Sequence, residues 1–531
     1  MTATVTDPAA SSETPRATEE LMHLGPNEVL IDDNVRDEVD PDMLAELVES
    51  VREYGVLVAL RAVRYADGTV AIEDGQCRAL AARDAGLTTI PVLVHPDTAT
   101  TDTERAINRI KRQLHTYSRG DLTAGQRAAS VALLLDLGES EAATAKAVRG
   151  VPRDQIKAAA AVGKSVTART AIDAGQLSME QAAIVAEFEI EGDTEAVDQL
   201  MNAGRWNIRY TAQRLRNDRA EKAERAEAAQ PYTEMGYTIL AEEPRYCDDL
   251  LLADLVNAEG GEVTEADTQV DPNKWAVWLS KDERYFLREG GEEIDGEEVD
   301  WATEDDDEAT EDEGHRHANT VETRQVWLPE YVCLDPEGAG VALSPILAAA
   351  RTGAPAEGGE SGEDAAVAAA RREAEAKERQ RQERRQVIAL NKQAEAATTV
   401  RRDYLRTTLL ARKTPPKGAA GFAATALARD PWLLTEGKTD EVVRGLLGST
   451  AINTGTAIAE LVAKASDNRA QVITLALVIA AQEARMVKDA WRSHPKGTDR
   501  YLTFLAENDH TLTQVEEVAA GTLTADQVDI D

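Results

Sequence analysis

The chain has 531 residues and a formal net charge of −38 at pH 7. Because domains usually run about 100 to 200 residues, the length predicts three or more modules. The cysteines Cys77, Cys247 and Cys333 lie far apart with no paired spacing, so the sequence suggests neither a disulfide framework nor a structural zinc site. No apolar run approaches the roughly 18 residues that a membrane helix needs, and the acidic N-terminus does not resemble a signal peptide. We therefore expect a cytoplasmic protein with reduced thiols and no membrane partner.

The charge is unevenly distributed along the chain. Residues 105 to 169 contain twelve Lys or Arg against five Asp or Glu, whereas residues 281 to 313 contain seventeen Asp or Glu against three Lys or Arg. An acidic surface repels DNA, and phosphate contacts require Lys and Arg. The basic stretch is therefore where nucleic-acid binding is expected, in spite of the negative total.

Residues 1 to 20 lack a periodic apolar face and are predicted to be a disordered arm. Residues 21 to 100 are predicted to form a small α+β module. A strand at residues 29 to 31 precedes a helix that starts at Pro41 and ends at Gly55, with Leu44, Leu47, Val48 and Val51 on its apolar face. Next comes a hairpin of strands 60 to 65 and 69 to 72 around Asp67-Gly68. A second helix stops at Gly86, and a strand covers residues 90 to 94.

Residues 101 to 217 are predicted to be an all-α domain with a helix-turn-helix. Thr123 and Gln126 form a capping box for a helix that Gly138 closes. A short helix over residues 140 to 148, a tight turn over 149 to 151 and a further helix from Pro152 follow. The residues that can pack these two helices together are Ala143, Ala147, Val148, Val151 and Ile156. This leaves four polar residues near the start of the second helix, where base edges are usually read: Arg149, Arg153, Gln155 and Lys157. Alanine-rich helices joined by short turns are also compatible with a plain helical bundle.

The remainder is predicted to contain a mixed α/β acidic region over residues 231 to 345, a linker over 346 to 370 and a helical C-terminal region over 371 to 531. The basic helix over residues 371 to 413 is compatible with a phosphate-contacting surface, a coiled-coil seam or a solvated helix that pairs with itself. His315 and His317 lie beside an acidic run, but without neighbouring cysteines or a helical repeat they predict no metal site.

The segment Gly75-Gln76-Cys77-Arg78 lies where a strand is expected to end and a helix to begin. Backbone N–H groups and the helix dipole at such a position suit an anionic phosphate. By itself the segment also describes an ordinary glycine turn with a surface arginine.

In its order of motifs, the region from about residue 27 to residue 190 resembles the ParB family. Residues 34 to 36 are similar to that family's opening segment, and residues 75 to 82 to its glycine-glutamate-arginine-arginine box. The resemblance implies a DNA-binding partition protein whose N-terminal module binds cytidine triphosphate with magnesium and closes as a clamp on DNA. It assigns the nucleotide to Gly75, Gln76, Cys77, Arg78 and Arg119. It also implies double-stranded DNA, a partition ATPase and a second copy of the chain as partners, at the nucleoid or on a plasmid.

Several positions depart from the family pattern. Val58-Ala59 stands where the family has glutamine-proline, Cys77 and Leu80 replace box arginines, and of the glutamate-asparagine-x-glutamine-arginine segment only Arg119 is retained. The lost acidic and amide groups are candidates for orienting magnesium or the attacking water, so no catalytic residue is assigned and hydrolysis is expected to be slow.

Three alternatives stay open. A transcriptional regulator would use the same helix-turn-helix without a nucleotide switch, and some ParB-like modules are nucleases. Cys77 is similar to the reactive cysteine in the glycine-cysteine-histidine-arginine turn of sulfiredoxin, which shares the small fold. Here Cys77 lacks the adjacent histidine and is followed by a helix-turn-helix, which favours a structural cysteine.

Overall fold

A computed structural model describes residues 19–31, 41–116, 122–148, 150–245, 249–303, 310–312, 314–352, 361–435, 437–448 and 454–529. They divide into two compact units, Met1–Thr211 and Ala212–Asp531. Within the described ranges, no helix combines the length and the apolar character that crossing a membrane requires.

The N-terminal unit begins with a five-stranded sheet in the order β1-β5-β3-β4-β2. Its strands are β1 (Glu20–Leu24), β2 (Leu30–Ile31), β3 (Leu60–Arg64), β4 (Val70–Asp74) and β5 (Ile90–Pro96). Strand pairs β1/β5 and β3/β4 are antiparallel, and β3/β5 and β2/β4 are parallel. The helices of this unit are α1 (Pro41–Tyr54), α2 (Gln76–Asp84), α3 (Asp102–Thr116), α4 (Ala124–Asp136), α5 (Glu141–Ala147), α6 (Ile156–Lys164), α7 (Val166–Asp173) and α8 (Met179–Ile190).

Local sequence signals account for most boundaries of the sheet module. Helix α1 starts at Pro41 as predicted, and Gly55 follows its last residue with a φ of 70°. In the predicted hairpin, Gly68 has a φ of 89° and the backbone N–H of Thr69 donates to Asp67. The predicted apolar face of α1 packs against the core cluster that also contains Leu60 and Ile90. The α+β character of this module is therefore confirmed.

Strand β1 is an element that the sequence did not reveal. It pairs with β5 along its whole length, from Glu20 opposite Val94 to Leu24 opposite Ile90. Arg83 on α2 holds the turn after β1, because its side chain donates to the carbonyl oxygens of Pro26 (2.9 Å) and Val29 (2.7 Å).

Helices α4 to α8 pack closely on one another. Gly163 of α6 lies so near α4 that a Cβ atom there would be 2.2 Å from the carbonyl oxygen of Ala128. The predicted capping box of Thr123 and Gln126 is present. Asp173 at the end of α7 reinforces it by accepting hydrogen bonds from the N–H of Gly125 (2.7 Å) and the hydroxyl of Thr123 (2.8 Å).

Helix α9 (Thr194–Met235) contains the boundary between the two units and breaks at Gly204, which has a φ of 68°. The strands that follow are β6 (Thr238–Ile239), β7 (Leu255–Asn257), β8 (Trp275–Leu287), β9 (Glu293–Ile294), β10 (Val299–Asp300), β11 (Arg316–His317), β12 (Val321–Cys333) and β13 (Val341–Leu343). Strands β8 and β12 pair antiparallel over thirteen residues and carry several aromatic residues of the acidic region, among them Trp275, Trp278 and Tyr331. Short helices α10 (Glu265–Thr268) and α11 (Pro336–Ala339) lie among them.

The later helices are α12 (Pro345–Thr352), α13 (Ser361–Tyr404), α14 (Ala419–Arg429), α15 (Thr439–Leu447), α16 (Thr454–Ala463), α17 (Asp467–Arg485), α18 (Ala490–Ser493), α19 (Thr498–Ala506) and α20 (Gln514–Ala520). Helices α12 and α13 thus cover much of residues 346 to 370, where the composition predicts a linker. A π-helical turn, Leu405–Leu409, extends α13.

The basic helix α13 uses its arginines inside the C-terminal unit. Arg381 pairs with Glu330 at 2.7 Å, and Arg385 pairs with Glu243 at 2.9 Å. The start of the helix is solvated and pairs with itself, through Arg371 with Glu375 and Lys377 with Glu373, whereas Arg381 and Arg385 neutralise carboxylates of the preceding acidic region. Further along α13, the fully buried Arg401 bonds to the carboxylates of Glu483 and Glu516 and thereby ties α13 to α17 and α20.

Candidate functional site

The strand-to-helix turn at Gly75 has the geometry predicted for it. Gly75 follows the last residue of β4 and is the N-cap of α2, with a φ of 97° that L side chains rarely adopt. A Cβ atom there would also lie 3.0 Å from the side chains of Leu60 and Arg78. Glycine is thus required both by backbone conformation and by packing. The first turn of α2 contains no acidic residue, so no carboxylate on that turn opposes an anion at the helix N-terminus.

The guanidinium of Arg78 connects the turn at residues 75 to 78 with the loop that precedes β3. Its Nη1 donates to the carbonyl oxygens of Val58 (2.7 Å) and Ala59 (3.3 Å), and its Nη2 lies 3.5 Å from the Asp74 carboxylate. Arg78 therefore fixes the loop that contains Val58 and Ala59.

The structure brings Gly75, Gln76, Cys77 and Arg78 together at one helix end, where all four are partly buried. Cys77 is a free thiol. Arg119, the fifth predicted nucleotide-binding residue, lies outside the described residues.

A buried charged cluster beside the box was missed by sequence reasoning. Glu73 of β4 and His95 of β5 are each less than a tenth exposed, and Nε2 of His95 lies 2.6 Å from Oε2 of Glu73. This hydrogen bond raises the pKa of His95 above its ordinary value. Arg112 of α3 donates to the other oxygen of Glu73. The cluster therefore attaches α3 to β4, the strand that ends just before Gly75.

The signal for this cluster is faint because its members are distant in sequence. Glu73 and His95 are 22 positions apart, and Arg112 lies a further 17 along. The sequence signal that could have indicated the cluster is that Glu73 and His95 each interrupt an otherwise apolar strand. Nearby, Arg105 of α3 pairs with Asp97 at 2.5 Å and lies over the ring of Tyr65.

Helices α5 and α6 are joined by a short connection and a single 3₁₀ turn, Arg153–Gln155. Four of the five residues predicted to pack them together, Ala147, Val148, Val151 and Ile156, are buried, and Ala143 is half-buried. The apolar pattern over residues 143 to 156 therefore predicted correctly which side chains of α5 and α6 are buried.

The predicted contact residues lie at the start of the second helix. Arg153 and Lys157 are exposed, and Gln155 is half-buried. The side chain of Lys157 is 82% exposed, with its Nζ 3.7 Å from the Glu141 carboxylate. Arg149 lies outside the described residues. A pair this exposed contributes little, so Lys157 is able to exchange it for a phosphate.

Some cations of the basic stretch form ion pairs inside the unit. Lys111 pairs with Glu139 at 2.7 Å, and Lys164 pairs with Asp136 at 2.6 Å, in addition to the pairs made by Arg105 and Arg112. The positive surface of the basic stretch is thereby reduced. At the start of α6, Arg153 and Lys157 are exposed beside the exposed Asp154.

Comparison with known proteins gives one family match. Residues 10–109 match the family described as the ParB N-terminal domain. No curated protein matches the chain.

Solved structures give similarities that involve about a third of this chain. One is the C-terminally truncated chromosome-partitioning protein ParB from Caulobacter crescentus complexed to the centromeric parS site (18% identity, 34% of this chain and 92% of that chain, TM-score 0.24). A second is the truncated ParB from Caulobacter crescentus complexed with CTP-gamma-S (21% identity, 32% and 92%, TM-score 0.17). A third is a Pnob8-like ParB-N domain (13% identity, 36% and 90%, TM-score 0.24).

Proposed function

We propose that this chain, whose residues 10–109 match the ParB N-terminal domain, is a sequence-specific DNA-binding partition protein of the ParB family. The observation that carries the proposal is the pair α5 and α6, which has a buried apolar inner face and an exposed polar start of its second helix that includes Arg153 and Lys157. That arrangement is what a helix-turn-helix presents to the major groove.

Within this proposal the residues have separate roles. Arg153 and Gln155 read base edges, because arginine pairs with guanine and glutamine with adenine through two hydrogen bonds each. Lys157 and the proposed contact Arg149 serve the phosphate backbone, which fixes register but carries no sequence information. The net charge of −38 does not forbid this, since at physiological ionic strength charges are screened beyond about 8 Å and the local surface decides.

We also propose that the helix end formed by Gly75 to Arg78 binds the phosphates of cytidine triphosphate. The positive φ of Gly75 and the N-terminus of α2 support an anion there, and the carboxylate of Asp74, which precedes the N-cap, lies 3.5 Å from the Arg78 guanidinium. These residues fit the phosphates rather than magnesium, because they include no carboxylate ligand. A homodimer and a partition ATPase as partners belong to the same proposal.

A regulator without a nucleotide switch is the second candidate. The hydrogen bonds from Arg78 to the carbonyl oxygens of Val58 and Ala59 favour it, since they use the guanidinium for contacts within the protein. DNA binding is common to both candidates, and the nucleotide distinguishes them.

The DNA-binding proposal is tested by selection. Genomic fragments from the source of the gene are incubated with the full-length chain, and the bound fragments are sequenced, for the wild type and for an Arg153→Ala/Gln155→Ala variant. We expect one enriched motif for the wild type and loss of that motif in the variant. Equal enrichment of all fragments by the wild type would contradict sequence-specific binding.

The nucleotide proposal is tested by equilibrium binding of radiolabelled cytidine triphosphate with magnesium, in competition with the other three triphosphates. The wild type should bind the cytidine nucleotide selectively, and Arg78→Ala should lose that binding. No binding of any triphosphate, with or without the selected DNA, would leave the regulator as the function.

A further inference from the structure

The break in α9 exposes a short segment that has no part in the roles assigned so far. Gly204, with a φ of 68°, interrupts the helix, and Arg205 begins its second part. Arg205, Trp206 and Asn207 are exposed, whereas the next residue, Ile208, is fully buried. One apolar side chain thus anchors the segment, and the three side chains before it face the solvent.

Trp206 is the side chain in this segment that packing within the chain does not explain. It is 72% exposed, although tryptophan is usually highly buried. The guanidinium carbon of Arg205 lies 5.6 Å from the centroid of its ring. A cation–π contact at an exposed site is weak, and it covers at most one face of the ring. The indole is therefore accessible to a binding partner.

The sequence around Trp206 is basic although the chain as a whole is acidic. Between Asp198 and Asp218 there are four arginines and no carboxylate, in a chain with a net charge of −38. One of these arginines, Arg209, pairs with Glu180 of α8 at 2.7 Å, and the two side chains are 45% and 58% exposed. An ion pair this exposed contributes little, so Arg209 is able to exchange Glu180 for a phosphate.

Contacts with α8 attach this segment to the helical domain that contains α6. The side chain of Gln181 donates to the carbonyl oxygen of Arg205, and its Oε1 accepts from the N–H of Ser178 at 2.9 Å. Helix α8 in turn packs against α6. A domain of about 100 residues has a radius of gyration of about 13 Å, and one turn of B-DNA is about 34 Å long. The two surfaces are therefore close enough for one duplex to contact both.

We propose that residues 205 to 209 form a second DNA-binding surface, which contacts the duplex beside the site that α6 reads. Four arginines without a carboxylate among residues 199 to 217 favour a polyanion as the partner. A purely apolar protein partner would match Trp206 but not the arginines. This inference rests on the proposed DNA binding and extends it from one surface to two.

The side chains of this segment contribute to binding in different ways. The ring of Trp206 packs on sugars and base edges, as apolar side chains do when they enter the minor groove. Arg205 and Arg209 bind phosphates, which adds affinity without sequence information. Asn207 belongs to the residue types that read base edges in the minor groove. The larger part of the affinity should come from the ring and the two cations.

The test compares two duplexes by fluorescence anisotropy with the full-length chain. One contains the selected motif alone, and the other adds about 10 base pairs, one helical turn, on each side. The wild type should bind the longer duplex more tightly. Trp206→Ala should weaken binding of the longer duplex about tenfold, the loss expected for one aromatic contact with nucleic acid, and should bind the short duplex like the wild type. Trp206→Phe keeps an aromatic ring and should retain most of the affinity.

Controls separate this surface from folding and from the motif. Trp432→Ala removes a tryptophan of the C-terminal unit that is 76% exposed, and it should bind like the wild type. Trp206→Ala should keep the thermal stability of the wild type, because its side chain is exposed. If the wild type selects no motif, the proposed function fails, and a duplex of about 30 base pairs of arbitrary sequence still tests the surface, since Trp206→Ala should weaken its binding several-fold. Equal affinity of the wild type and Trp206→Ala for the long duplex, or equal losses in Trp206→Ala and Trp432→Ala, would overturn the proposal.

Discussion

Gly163→Ala is expected to disrupt the helix that carries the proposed DNA contacts. Gly163 is the penultimate residue of α6, where it crosses α4. A Cβ atom would lie 2.2 Å from the carbonyl oxygen of Ala128 and 2.8 Å from Cβ of Ala132. Normal non-bonded separations are about 3.5 to 4.0 Å, so the added methyl overlaps its neighbours by more than about 1 Å.

The magnitude follows from two opposing effects. Replacing a helical glycine by alanine favours the helix by about 1 kcal/mol. Overpacking costs about 1 to 3 kcal/mol and occasionally more, and here the obstacle is the backbone of α4 rather than a side chain that can rotate away. We therefore expect a net loss of about 2 kcal/mol in the local stability of α4 and α6, together with weaker binding of the selected DNA.

Hydrogen exchange followed by mass spectrometry measures this loss directly, because it reports the opening free energy of each segment. Gly445→Ala on α15 is the matched control, since Gly445 also lies within a helix but has nothing within 4 Å of its Cβ position. It should slow exchange in α15. Slower exchange in α6 of Gly163→Ala would refute the close crossing.

Three further outcomes are expected. Gly75→Ala should destabilise the sheet module more than Gly68→Ala in hydrogen exchange, because both require a positive φ but only Gly75 has neighbours within 4 Å of its Cβ position. Although burial opposes ionisation, the hydrogen bond from His510 and the charge of Arg401 lower the pKa of Glu516 to about 2. Because this folded-state pKa lies below the ordinary value of 4.5, the resulting stability, about 3 kcal/mol, is present above pH 4.5 and is lost as the pH falls towards 2. Acid titration of unfolding should therefore be flatter in Glu516→Gln. Arg401→Met should destabilise the C-terminal helices by about 3 to 5 kcal/mol in urea unfolding, since it leaves buried carboxylates unpaired.

The sequence predicted correctly those elements that depend only on residues close to one another in the chain. The Asp67-Gly68 turn, the capping box at Thr123 and the glycine at position 75 each follow from the backbone conformations of a few adjacent residues. The packing faces of α1, α5 and α6 follow from apolar periodicity.

What could not be predicted depends on pairing between distant segments. Strand β1 is defined by its register with β5, about 70 positions later. The Glu73 and His95 contact exists because parallel and antiparallel pairing brings β4 and β5 into one sheet. In the same way, the hydrogen-bonded pair Arg385 and Glu243 is 142 positions apart in sequence. The pattern of charges along the chain does not specify which carboxylates the arginines of α13 contact. The alanine- and glutamate-rich composition over 361–370 suits a linker and a helix equally, and there the helix forms.

The most direct test of DNA binding at the start of α6 is the salt dependence of affinity for the selected duplex. Fluorescence anisotropy titrations at several salt concentrations would compare the wild type with Lys157→Ala and with Lys222→Ala, which removes the same charge from α9 at an exposed position. We expect Lys157→Ala to lower the slope of log affinity against log salt by about 0.9, the value for one lost phosphate contact, and Lys222→Ala to leave the slope unchanged. Equal slopes in all three proteins would contradict a DNA interface at α6.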